Sequence, residues 1–170
     1  LGLGATVDAE GDGAPSVGAN GDDLAGGGDD EDGVTFLTAI QAGQAASIQV
    51  NVREGAGVDG RLSAWIDFNR DGDFADAGEK IFSDVAVTDG VQTLSFTAAA
   101  GALAGDTYAR FRLSTDAGLG ATGEASSGEV EDYKIAIAPT GSIGDEVFFD
   151  KNGNVWINPA EASACTDSAS

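Results

Sequence analysis

The sequence contains no histidine, no methionine, one cysteine and three prolines in 170 residues. Without histidine the commonest general base is missing, and with it the usual nucleophile–histidine pairs and most zinc and copper sites. Cys165 has no second thiol to pair with, so no internal disulfide can staple the chain. Catalysis through that thiol would lack an imidazole to activate it. The absence of methionine fits a processed chain whose signal peptide is gone, or a piece of a longer protein.

Basic residues are scarce as well. Eight Lys plus Arg face 29 Asp plus Glu, a net charge of −21. Nucleic-acid affinity comes from counterions released around Lys and Arg, so this balance excludes a phosphate-backbone binder. It also argues against docking on anionic lipid. No apolar run is long enough for a spanning helix, and no membrane insertion is expected. Yet 42% of the residues are hydrophobic, too many for a purely disordered acidic tail. A nearly cysteine-free acidic chain suits an extracellular or cell-surface protein of a bacterium or archaeon.

The charge is unevenly placed. Nine acids (Asp8, Glu10, Asp12, Asp22, Asp23, Asp29, Asp30, Glu31 and Asp32) precede the first basic residue, Arg53. Residues 8–33 are mostly Gly, Asp, Ala and Asn, with little to bury. They read either as an acidic linker or as a segment ordered by divalent cations, with Asp29, Asp30 and Asp32 as candidate ligands.

From Val34 onward the pattern is period two, the signature of strands. Ser47–Val52 alternates polar and apolar without a break. Leu62, Ala64 and Ile66 alternate with Arg61, Ser63 and Trp65; Ala109, Phe111 and Leu113 alternate with Tyr108, Arg110 and Arg112. Further strands are expected at 34–40, 80–87, 91–97 and 129–138. The whole predicts an all-β chain, an antiparallel β-sandwich of about seven strands. An N-terminal segment, 1–33, precedes the sandwich at 34–138, and 139–170 forms a C-terminal piece. In that piece two short apolar runs flank Asn152-Gly153, which predicts a β-hairpin.

The sharpest motif runs from Asp67 through Asn69, Asp71, Gly72, Asp73 and Asp76 to Glu79. Oxygen donors at alternate positions with a glycine at the sixth let one loop wrap a hard cation. Calcium takes about six to eight oxygens, more than a straight strand can present. The spacing departs from an EF-hand loop: the twelfth position is Gly78, and the acid falls at the thirteenth, Glu79. Calcium is therefore the expected cofactor; a solvated acidic hairpin turn is the alternative.

A second cluster is Gly128-Glu129-Val130-Glu131-Asp132-Tyr133. Counting back by twos from Ile137, Ile135 and Tyr133 puts Glu131 and Glu129 on the apolar face. Carboxylates there need a cation or a well-made set of hydrogen bonds. Metal ligation by Glu129, Glu131 and Asp132, or a salt bridge to Arg110 or Arg112, would each answer. If the strand starts only at Asp132, the glutamates stay in a loop.

These motifs together carry a resemblance. Trp65-Ile-Asp-Phe-Asn-Arg-Asp-Gly-Asp-Phe, Ala109-Arg-Phe-Arg-Leu-Ser and Gly128-Glu-Val-Glu-Asp-Tyr resemble the signatures of the GEVED domain of bacterial secreted and surface proteins. Asp29-Asp-Glu-Asp-Gly-Val-Thr-Phe resembles its acidic lead-in, so the resemblance covers about 29–138. It implies a β-sandwich, an extracellular setting and calcium loops, and no known catalysis. The stretch Gly144–Asn154 is similar to the opening of a bacterial surface B-type repeat. That likeness implies ligand positions at Asp150, Asn152, Asn154, Asn158 and Glu161, although Val155 replaces an expected glycine and the chain stops before such a domain is complete.

The expectation is thus a secreted, calcium-stabilised structural module that is not an enzyme. An adhesion module binding a surface glycan or partner protein is the first alternative, with Trp65, Tyr108, Tyr133 and Trp156 as its aromatics. A glycosidase fragment is the second. Leu1, Leu3, Ala5 and Val7 alternate with Gly2, Gly4 and Thr6, a strand ahead of the acidic tract. It could complete its own sheet edge, or pass to a neighbouring copy and build a homo-oligomer or filament.

Overall fold

Apolar side chains at every second position gather on one face of an extended strand, and burying that face calls for a second sheet. A computed structural model describes residues 1–5, 32–53 and 59–141, together with two short strands at 148–149 and 155–156. It divides into two units, Leu1–Pro139 and Thr140–Ser170.

Among the described residues the first unit contains nine strands in two sheets: β1 (Gly2–Leu3), β2 (Val34–Phe36), β3 (Ile40–Gln41), β4 (Ala45–Arg53), β5 (Gly60–Ile66), β6 (Lys80–Val87), β7 (Gly90–Thr97), β8 (Gly105–Ser114) and β9 (Glu129–Ala138). In one sheet β4 is central. It pairs along its length with β7 on one side. On its other side β2 and β1 lie end to end, Val34–Phe36 facing Ile48–Val50 and Gly2–Leu3 facing Val52–Arg53. Asn51 joins the two pieces: its carbonyl accepts from Gly4 N–H and its N–H donates to the Gly33 carbonyl, each at 2.8 Å.

The second sheet has the order β3-β9-β8-β5-β6. Every pair is antiparallel except β3 with β9, which run parallel. The 34–40 strand of the sequence pattern is interrupted, because the chain leaves the first sheet after Phe36 and joins the second at Ile40. That crossing and the addition of β1 raise the expected seven strands to nine.

Between the sheets lie Leu3, Ile48, Val50 and Val52 from the first and Leu62, Ile66, Phe111, Leu113 and Ile137 from the second. Phe36, Phe111 and Tyr133 meet edge to face with centroids 5.7 to 6.1 Å apart, the arrangement that ring quadrupoles favour. The second sheet is also covered on its outer side. Trp65, Arg110, Arg112 and Asp132 are buried although they alternate with core residues. The segment 115–128, between β8 and β9, lies against Arg110 and Arg112, and Lys80 lies over Trp65.

The second unit contains β10 (Phe148–Phe149) and β11 (Val155–Trp156), paired antiparallel as a hairpin. The side chain of Trp156 and the B-type-repeat positions Asp150, Asn152, Asn154, Asn158 and Glu161 lie outside the described residues.

Candidate metal centre

The acidic motif forms the loop from β5 to β6. Its neck is built from two buried carboxylates. Asp67 Oδ1 accepts from the N–H of Arg70 at 2.6 Å and of Asp71 at 3.2 Å, and its Oδ2 accepts from Gly72 N–H at 3.0 Å. Glu79 Oε1 accepts from Phe68 N–H at 3.1 Å and its Oε2 from Asp76 N–H at 3.2 Å. Burial pushes the Glu79 carboxyl above its ordinary range and the Asp67 charge adds to this, while the backbone donors pull the other way.

Wrapping five N–H groups around two carboxylates requires a sharply turned backbone. Arg70 and Gly72 take φ of 63° and 92°, the left-handed region. Glycine does this without strain. Arg70 is held there by its side chain, which donates to the carbonyls of Ala104 and Asp106, both at 3.0 Å.

The turned loop brings Asp71, Asp73 and Asp76 together at the exposed rim, their carboxylate oxygens all within 4.8 Å of one another. The Asn69 amide lies among them, its Nδ2 donating to Asp71 Oδ2 at 3.0 Å and to Asp76 Oδ2 at 2.6 Å. Three hard anionic oxygens plus an amide that can turn its oxygen inward could hold a hard divalent cation. Asp67 and Glu79, also expected as ligands, accept from backbone donors at the neck.

The second cluster is split by strand alternation. β9 begins at Glu129, so Glu129 and Glu131 face inward and Asp132 outward. Glu131, 1% exposed, accepts from Gly33 N–H and from the Tyr133 hydroxyl, each at 3.0 Å. Tyr133 in turn accepts from Val34 N–H at 2.9 Å, and Glu129 accepts from Leu3 N–H. Burial pushes the Glu131 carboxyl up to about 8, and the charges of Glu129 and Asp32 add to the rise. This pair therefore meets N–H groups of β1 and of the chain entering β2. Asp32, exposed, accepts from Ala5 N–H at 2.8 Å in the same clasp, while Asp29 and Asp30 lie outside the described residues.

On the outer face, Asp132 takes a bidentate ion pair from Arg110, Nε to Oδ1 at 2.7 Å and Nη2 to Oδ2 at 2.5 Å. The salt bridge weighed for the glutamates belongs to their neighbour, since β9 faces β8 with Asp132 opposite Arg110. Three residues given no role from the sequence matter here. Phe74 packs its ring 6.0 Å from the Arg110 guanidinium, Lys80 lies 4.9 Å over the Trp65 ring, and Asp84 accepts from Gly118 N–H at 3.0 Å. Phe74 was legible as an apolar residue stranded between two aspartates. Trp65, 3% exposed, offers no open stacking face for a sugar.

Residues 61–136 match the family model of the GEVED domain. This stretch is similar to that domain. The match runs from β5 into β9 and takes in the acidic loop, Arg110 and Arg112, and Gly128–Tyr133. It covers neither the lead-in at Asp29–Phe36 nor anything resembling a B-type repeat. No curated protein matches the chain.

Proposed function

We propose that this chain is a secreted, calcium-stabilised structural module of an extracellular assembly, with no catalytic role of its own. The observation that carries this reading is the rim of Asp71, Asp73 and Asp76, three exposed carboxylates within 4.8 Å on a loop whose neck is already built. The negative charges repel until a cation joins them, so binding stabilises the folded state over the unfolded one. An exposed site of three carboxylates suits the weak end of calcium affinities, which match extracellular calcium levels.

Isothermal calorimetry and thermal melting of the full chain test this. Calcium is expected to raise the melting temperature by about 3–10 °C over chelator, and Asp71→Ala with Asp73→Ala to abolish the rise. Magnesium is expected to substitute poorly, because it demands a tight octahedral shell. Equal melting in calcium and chelator overturns the reading.

The assembly in question would be a homo-oligomer or filament built through β1. What favours it is the docking of Gly2–Leu3 at the edge of β4, with Leu3 fully buried, by a segment remote in sequence from the next strand. The pairing seen is within one chain. Exchange of the same strand between copies would use the same seat.

A further inference from the structure

The acidic loop and the 115–128 segment leave the second sheet from opposite ends: Ile66 of β5 faces Ala109 of β8, whereas Ser114 of β8 faces Arg61. The 115–128 segment nevertheless returns across the outer face toward the acidic loop. Its carbonyls are the reason. Arg110 Nη1 donates to the Ala121 carbonyl at 2.9 Å, and Arg112 donates to those of Gly120 at 2.8 Å and Gly123 at 2.7 Å.

The acidic loop supplies two further links. Phe74, between the rim residues Asp73 and Asp76, packs on the guanidinium of Arg110, which is 0% exposed. Asp73 Oδ1 accepts from Ala75 N–H at 2.8 Å, so the rim carboxylate and the backbone carrying Phe74 move together. Directly after Glu79, Lys80 reaches over Trp65 and donates to the Leu119 carbonyl at 3.1 Å. The base of the 115–128 segment has its own staple: Asp116 accepts from Ser126 N–H and Oγ, both at 2.7 Å, and the hydroxyls of Thr115 and Ser127 lie 2.7 Å apart.

We propose that the acidic loop and the 115–128 segment form one coupled unit, in which a divalent cation held by Asp71, Asp73 and Asp76 locks the 115–128 segment onto the sheet through Phe74–Arg110 and Lys80. The inference rests on the calcium reading above and adds what the cation controls. The consequence is protection: a glycine- and serine-rich surface segment, otherwise the natural place for local opening and cleavage, closes when calcium is present. Coupling is reciprocal, so loosening the segment must weaken the cation.

Amide hydrogen exchange and calcium calorimetry on the full chain test the two directions. In the wild type, calcium is expected to slow exchange at 117–123 about tenfold. In Phe74→Ala with Lys80→Ala that protection is expected to shrink to less than about twofold. Ser126→Ala with Ser127→Ala changes no charge and lies outside the acidic loop, yet it is expected to weaken calcium binding about fivefold. Calcium that binds without protecting 117–123 overturns this inference alone, as does an unchanged affinity in the serine double variant. Protection that survives in the Phe74 and Lys80 double variant overturns the route. Absence of calcium binding to the wild type overturns the calcium reading and this inference with it.

Discussion

Within β9, successive side chains point to opposite faces, and that alternation gives neighbouring carboxylates different tasks. Glu131 faces the clasp of β1 and Gly33, where burial holds its carboxyl up to about 8. A carboxyl that ionises near 4.5 when unfolded but near 8 when folded keeps one extra proton in the folded state between those values. Stability from this group is therefore complete below that window and falls as pH rises through it. The melting temperature of the wild type in chelator is expected to drop between pH 5 and pH 8.5, by an amount on the order of a few kcal/mol in stability. Glu131→Gln is expected to flatten the curve. A rise with pH over the same window when calcium replaces the chelator would instead mark a cation at Glu129 and Glu131.

Gly33 is the second residue on which the clasp depends. A Cβ there would stand 2.5 Å from Leu3 Cβ, 2.7 Å from Gly4 N and 2.8 Å from Glu131 Oε2. Leu3 and Gly4 sit on the N-terminal segment and Glu131 on β9, so two packed elements would have to withdraw together. Gly33→Ala is expected to destabilise the fold by about 1–3 kcal/mol in denaturant melts and to release β1 to proteolysis.

At the scale of elements, the buried pair Arg110–Asp132 joins β8 to β9 beneath the 115–128 segment. Removing one member leaves the other charge buried and uncompensated. Arg110→Met is expected to cost about 3–5 kcal/mol, measured by chemical denaturation. Adding Asp132→Leu is expected to restore much of that loss, because two apolar groups carry no desolvation penalty. The acidic loop shows the same logic on a smaller scale. Asp67 and Glu79 are buried where they accept from five backbone N–H groups, while the aspartates of the rim stay exposed.

For the whole molecule, assembly and charge oppose each other. Copies that each carry −21 by sequence repel, and calcium held at the proposed rim site would lower that repulsion by binding and by screening. Sedimentation velocity is expected to show oligomers in calcium at high concentration, lost on deletion of residues 1–5 while the sandwich stays folded. A chain that stays monomeric in calcium at every concentration leaves β1 as an internal edge strand, the pairing observed within one copy.

Much of this protein is legible along the chain. Period-two runs place β4 to β9 close to their observed bounds, because an alternating apolar face has no use except against another sheet. Oxygen donors around Gly72 mark the acidic loop, and counting back from Ile137 turns Glu129 and Glu131 inward. What local pattern could not supply is partnership between distant segments. Whether Glu131 meets a metal, an arginine or an N–H depends on Gly33, 98 residues away, and the ligand of Glu129 comes from Leu3, 126 residues away. The partner of Arg110 was a matter of register between β8 and β9. Arg112 meets carbonyls of a loop rather than of a sheet. Each of these rests on long-range packing, which alternation along one strand does not encode, and only the tertiary structure decided them.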